Sequence, residues 1–260
     1  MSETEATLPA GVSRRMLVAE IWVVLAVSLG ASAVYAVLDI IRDLARNQSL
    51  RSQVTTVVGS QAEQHWVDLL YQLAGITLGV AAAALAVFLL FRSGESNKTI
   101  GLDFDKPRFD VGYGALIAAV IGGAGLALYL TAHALGIALT VDVSNLPPVW
   151  WRDTVLVLSA AQNAILEEVV VLGYLLHRLR QLGWTDNKAL VASAGLRGTY
   201  HLYQGFGGFL GNLVMGLIFG RLFQRWQRVG PFVVAHTLID AVSFVGYVHL
   251  AGHVSWLPTA

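Results

Sequence analysis

The sequence predicts an all-α, polytopic integral membrane protein: a helical bundle of about seven transmembrane helices with a polar site at mid-membrane. Three observations carry this. Of 260 residues 55% are hydrophobic and 13% charged, where soluble domains run to about a quarter charged. Mean hydropathy is +0.61. Apolar runs of roughly 20 residues, the length that crosses a bilayer, recur along the chain, and no alternating barrel pattern competes with them. The balance of 17 basic against 17 acidic residues gives no basic face for nucleic acid. The absence of cysteine excludes disulfides, thiolate metal sites, iron–sulfur clusters and cysteine nucleophiles.

The segments follow in order. Residues 1–15 form a polar tail, and the apolar run after it is too long for a signal-peptide core and lacks a small-residue cleavage site. Spans are expected near 17–38, 66–91, 111–137, 154–177, 189–206, 208–226 and 231–249, with an eighth if a broken segment lies within the long third run. Residues 16–110 then hold the first two helices and their loops, 111–250 a core, and 251–260 a short tail. Residues 42–64 and 92–110 read as polar connections. Asp110 and Asp153 suit helix N-caps, and Pro231 suits the first turn of the last helix. Trp150 and Trp151 suit an interfacial belt.

Basic residues set the orientation. With the N-terminus inside, the inner segments carry Arg14, Arg15, Arg92, Lys98, Lys106, Arg108, Arg178, Arg180, Lys188, Arg221, Arg225 and Arg228. The outer segments carry only Arg42, Arg46, Arg51 and Arg152. That bias predicts a cytoplasmic N-terminus and an outside C-terminus in a plasma-membrane protein. No internal repeat supports an inverted-repeat transporter.

The polar residues within the spans are the ones to explain, because an intramembrane charge costs on the order of 3 kcal/mol even on lenient scales. Glu20, Asp39, Asp68 and His133 lie near span ends and suit headgroup contact. Glu167, Glu168, Arg197, His201, His236 and Asp240 lie deep. At 1.5 Å per residue from the basic residues that mark helix ends, Glu167, His201, His236 and Asp240 fall roughly 12–20 Å in, one layer shared by three helices. Arg197 and His201 share a helix face, as do His236 and Asp240. Glu167 and Glu168 point about 100° apart, so only one is expected to face the centre. Tyr200, Tyr203, Gln204, Asn163 and Asn212 are further polar neighbours, each read singly as an interhelical hydrogen bond.

Glu167-Glu168 in ILEEVVVLGYLLHRL, His201 in LRGTYHLYQGFGG, and His236 with Asp240 in VVAHTLIDAVSFVGY resemble the three motifs of the CAAX-protease and bacteriocin-processing (Abi) family of intramembrane peptidases. Its pattern is Glu-Glu-x-x-x-Arg, Phe-x-x-x-His and His-x-x-x-Asn/Asp, and the resemblance covers about residues 111–249. Two positions depart from it: Leu172 stands for the motif arginine and Arg197 for the phenylalanine. The resemblance implies an endopeptidase that cuts a membrane-associated, CAAX-like protein or peptide. Glu167, His201, His236 and Asp240 would be catalytic, Glu168 and Arg197 supporting, and Glu167 the base acting with His201 on a water. A divalent metal such as zinc on Glu167, His201 and His236 is the alternative. Readings of another class are an inactive scaffold or immunity-type protein, and a proton or ion pathway. The expected partners are the substrate and the lipid bilayer, with no nucleic acid.

Overall fold

In the computed structural model residues 8–9, 11–46 and 48–259 are described; residues 1–7 and 10 of the expected N-terminal tail lie outside them. The chain is a helical membrane bundle. Its helices are α1 (Arg14–Ala26), α2 (Leu29–Ala45), α3 (His65–Gly79), α4 (Ala81–Arg92), α5 (Pro107–Ala134), α6 (Arg152–Glu167), α7 (His177–Gln181), α8 (Asp186–Tyr200), α9 (Phe206–Trp226) and α10 (Gly230–Leu250). A π-helical segment, Glu168–Leu176, joins α6 to α7. Among the described residues, five stretches are long and apolar enough to cross a membrane: His65–Arg92, Pro107–Ala134, Arg152–Gln181, Phe206–Trp226 and Gly230–Leu250. Helices α1 and α2, bent by 53° at their junction, make a sixth if they count as one span. Gly30 permits the bend, since a Cβ there would lie 2.7 Å from the Leu25 carbonyl oxygen.

The expected span at 189–206 is the exception. It is α8, 15 residues long, or about 22 Å against a hydrocarbon core of about 30 Å. It is shorter than a span because its polar sequence suits the bundle interior: Ser193, Arg197 and Tyr200 are buried. Helix α9 packs closely on it through small residues. A Cβ on Gly216 would sit 3.0 Å from Ala194 Cα, and one on Gly220 2.5 Å from Leu190 Cδ1.

The connection at 42–64 is not wholly irregular. Val54–Val58 (β1) pairs in parallel with Thr140–Ser144 (β2), with Val54 opposite Thr140 and Val58 opposite Ser144. Both segments are rich in β-branched residues, the local signal for strand. Thr140 donates its hydroxyl to the Arg51 carbonyl at 2.8 Å and so accepts from His133 Nε2 at 3.0 Å, which ties the end of α5 to the sheet.

Buried ion networks fasten the helices elsewhere, and they revise several expectations. Glu20 is not a headgroup contact: it accepts from Tyr174 at 2.8 Å and from Arg178 Nε at 3.0 Å. Arg178 is fully buried and also donates to Glu95 at 2.7 Å, Ser93 at 2.6 Å and the Leu89 carbonyl at 3.0 Å. Asp68 is likewise buried, accepting from the Ser60 hydroxyl, the Gln61 amide and Gln72. Asp110 does not cap α5, which starts at Pro107. Instead it takes two bonds from Arg228, at 3.0 and 2.7 Å, while Arg228 also reaches Asp103 at 2.9 Å. Trp150 is 89% exposed as a belt residue should be, but Trp151 is 4% exposed and packs in the core. Asp39 keeps its exposed position, paired with Arg42 at 2.7 Å.

Glu95, in the loop after α4, is held below the usual glutamate range. Desolvation pushes it up, but the hydrogen bond from His177, the charges of His177 and Arg178, and the Gln181 amide outweigh that. A carboxylate depressed on folding contributes stability that is present above its unfolded value, about 4.3, and is lost as pH falls through the lower folded value. Resistance to thermal unfolding in detergent is therefore expected to fall below about pH 4.3. Glu95→Gln should be less stable at pH 7 and lose part of that acid slope; an unchanged slope would remove Glu95 from the acid response.

Candidate active site

The site is built where α6 passes into the π-helical segment. Glu167 is the last α-helical residue and Glu168 the first of the wider turns. A π turn bonds i to i+5 and is common at functional sites. The Ser193 hydroxyl of α8 donates to the Val171 carbonyl of this segment at 3.3 Å. The segment is therefore held by its neighbour as well as by its own ladder.

Arg197, fully buried on α8, stands between the two carboxylates. Its Nη2 donates to Glu168 Oε1 and, at 3.3 Å, to Glu167 Oε2. Tyr200, one turn further along α8, donates its hydroxyl to the same Glu167 Oε2 at 2.7 Å and receives Arg197 Nε at 3.3 Å. The guanidinium carbon lies 5.5 Å from the centre of the Phe219 ring of α9, a cation–π contact on its other side. Burying a charge is costly unless it is paired and hydrogen-bonded, and here both conditions are met.

The histidines complete the cluster. His201 is the C-cap of α8, and its Nδ1 donates to the Arg197 carbonyl at 3.0 Å. That bond fixes the tautomer, because a carbonyl only accepts. Nε2 thus keeps its lone pair and faces Glu167 Oε1 at 3.9 Å. His236, on α10, donates Nδ1–H to Glu168 Oε1 at 2.7 Å, and its Nε2 faces Asp240 Oδ2 at 3.4 Å. Asp240 in turn accepts from the Asn163 amide at 2.9 Å. His236 is held between two carboxylates and oriented from both sides.

All six deep residues therefore meet in one cluster. The expectation that only one glutamate faces the centre does not hold. The two do diverge, Glu167 toward α8 and Glu168 toward α10, but both side chains are long enough to converge on one guanidinium nitrogen. Tyr200 and Asn163 are direct partners of the site carboxylates. Their spacing was the available signal, since Tyr200 lies three residues after Arg197 and Asn163 four before Glu167. Tyr203 stacks near His201, with ring centres 6.2 Å apart, whereas Asn212 bonds only to its own helix at the Gly208 carbonyl. A large apolar groove of about 830 Å³ runs between α1, α2 and α8. It holds none of these six polar residues and only backs onto the site at Leu196.

The metal alternative proposed Glu167, His201 and His236 as ligands. The set whose ligand-type atoms lie within 4.8 Å of one another is instead Glu167, Glu168 and His236. Both of its carboxylates already touch Arg197, and His236 Nδ1 is engaged as a donor. A divalent ion about 4 Å from that guanidinium would meet repulsion on the order of 8 kcal/mol at an effective dielectric of 20. Among the described residues, the buried side-chain atoms without a partner are Glu168 Oε2 and Arg197 Nη1. One accepts and one donates, so a water fits both, whereas a cation would meet only the first. As it stands, the donor set does not fit a metal.

Residues 149–242 match the family model of the Rce1-like proteins, described as type II CAAX prenyl endopeptidase Rce1-like. All six residues of the cluster lie within the matched segment, which holds the three motifs that resemble the CAAX-protease and bacteriocin-processing family. No curated protein and no solved structure shows detectable similarity to the chain.

Removing Arg197 leaves two buried carboxylates without their cation. Arg197→Ala is expected to cost about 3–5 kcal/mol, the range for breaking a buried pair. Leu172→Arg, placing a guanidinium one turn past Glu168, should return part of that loss in the double variant. Chemical unfolding in detergent reads both, and no recovery would mean that position 172 cannot reach the pair.

Proposed function

We propose that this chain is an intramembrane endopeptidase that hydrolyses a peptide bond of a membrane-associated protein or peptide, with CAAX-like prenylated chains as one substrate class. The observation that carries the reading is the free pair of atoms at the centre. Glu167 Oε2 is occupied by Tyr200 and Arg197, so Oε1 is the oxygen left to work, and it faces the lone pair of His201 Nε2 across 3.9 Å. That separation is too long for a direct bond and suits a bridging water. The family match over residues 149–242 supports the same reading.

The chemistry assigned to these residues is general-base hydrolysis. A water between Glu167 and His201 gives its proton to Glu167 Oε1 as it attacks the scissile carbonyl, while His201 Nε2 accepts its second hydrogen bond and aims it. Charge then develops on the carbonyl oxygen, where a fixed donor is worth most. His236 is the candidate donor through Nε2–H, which meets Asp240 only at 3.4 Å while Nδ1–H is held by Glu168. Asp240, itself held by Asn163, orients the ring and balances its charge when both nitrogens carry protons. Glu167 finally returns its proton to the leaving amine. Glu168 works through Arg197 and His236 and orients both. The ion-pathway reading gains nothing from the geometry, because the polar groups close on one another and do not string across the bilayer. The basic-residue bias supports an N-terminus inside and a C-terminus outside.

Two experiments test these assignments. Glu167→Gln keeps shape but cannot take a proton, so turnover on a prenylated peptide library should fall about 10²–10⁴-fold with substrate binding retained. Glu168→Gln should lose less turnover and more stability; the reverse ranking would exchange the two roles, and no effect of either would end the peptidase reading. For topology, single cysteines introduced at positions 11 and 259 should label from opposite sides of the membrane. Labelling from one side would mean that α8 does not act as a crossing.

A further inference from the structure

Glu167, Glu168 and His236 are buried, and each brings one ligand-type atom within 4.8 Å of the other two. Two carboxylates and an imidazole form a donor set that zinc accepts, with a fourth position left for water. In this chain a cation is already there. Arg197 Nη2 touches Glu168 Oε1 and Glu167 Oε2, and it comes from a different helix than any of the three donors. We propose that Arg197 is the resident counter-cation of this centre: its guanidinium stands in place of a divalent metal, keeps the native chain metal-free there, and covers a three-ligand site that its removal would open.

Three features argue for it. First, one oxygen of each carboxylate is taken. Glu168 Oε1 accepts from both Arg197 and His236, and Glu167 Oε2 from both Arg197 and Tyr200. Second, a guanidinium does not lose its proton, so a metal approaching these carboxylates meets a fixed positive charge that no pH change relieves. Third, cutting the side chain at 197 changes the balance completely. Both carboxylates lose a donor, and among the described residues Glu168 Oε2 is already without a partner. What remains is two carboxylates and an imidazole in a buried site, the donor set of a divalent ion, with the Asp240 carboxylate behind the imidazole.

Arg197 is thus a positioning residue, and a merely structural arginine would leave no metal site behind. The test uses purified native protein, Arg197→Met, Arg197→Lys, and Arg197→Met combined with Glu168→Gln, each titrated with Co²⁺ in detergent and read by its visible absorption, with zinc content measured after dialysis. The native chain and Arg197→Lys should take up no metal at this site. Arg197→Met should bind about one equivalent per chain with the band of a low-coordinate cobalt site, and its thermal stability should rise with added metal. Adding Glu168→Gln should abolish both effects. Two results would overturn the proposal: one equivalent bound by the native chain and lost in Glu168→Gln, or a folded Arg197→Met that binds none. If Arg197→Met does not fold without metal, growth in zinc-supplemented medium should recover folded protein, and failure to recover it counts against the covered site. Metal uptake is read directly, so a peptidase without a latent site and a latent site without peptidase activity give different results.

Discussion

A guanidinium buried among apolar helices is tenable only where carboxylates meet it, and the arrangement around Arg197 follows from that constraint. The charge needs Glu167 and Glu168 on one side, an aromatic face on the other and Tyr200 at its flank. Those partners come from α6 with its π-helical extension, from α8 and from α9, so three segments must close to side-chain distance. Small residues let them. Gly216 has no Cβ because one would press within 3.2 Å of Arg197 Cδ as well as on Ala194. Helix α8 stops at Tyr200, which leaves His201 as its cap with one ring nitrogen on the Arg197 carbonyl and the other toward Glu167. The ion pair and the histidine tautomer are consequences of one helix end.

The same device recurs toward the ends of the bundle with a different purpose. Arg178 gathers Glu20 of α1, the Leu89 carbonyl of α4, and Ser93 and Glu95 just after α4, and Arg228 gathers Asp103 and Asp110. In both, the polar atoms satisfy one another. At Arg197 they do not quite: Glu168 Oε2 and Arg197 Nη1 have no partner, and Glu167 Oε1 faces His201 Nε2 without a direct bond. Buried networks that are fully satisfied fasten a structure, whereas unsatisfied atoms cost stability and are retained where something else must bind. This difference separates a fastener from a site.

Much of this was legible in the sequence. Hydrophobic run length found the spans at 66–91, 111–137 and 208–249 to within a few residues, because a membrane span is written in composition. The six polar residues were found because charges are rare there and their depths could be counted. What escaped depended on contacts. The run at 189–206 looked like a span because hydropathy does not register that Arg197 and Ser193 face other helices and not lipid. Glu20 and Asp68 looked interfacial because nothing local says that Arg178 or the Ser60–Gln61 turn will cover them. The strands at Val54 and Thr140 were readable from β-branched residues, but their pairing crosses more than 80 positions.

The two departures from the family pattern are best understood as one change. A motif with arginine at the position of Leu172 puts the positive charge on the same helical segment as the glutamates, about one turn away. Here the charge sits on α8, one turn before His201. Leu172 is then free to be fully buried and apolar, and it packs toward Gly220 of α9, where an arginine would have to bury its stem. The total charge of the centre is unchanged, but its mechanical coupling is not. A cation on the α6 extension can only stiffen the segment that carries the glutamates. A cation on α8 joins that segment to the helix that carries His201, so the 3.9 Å between Glu167 Oε1 and His201 Nε2 is spanned by an ion pair between the two elements that carry them.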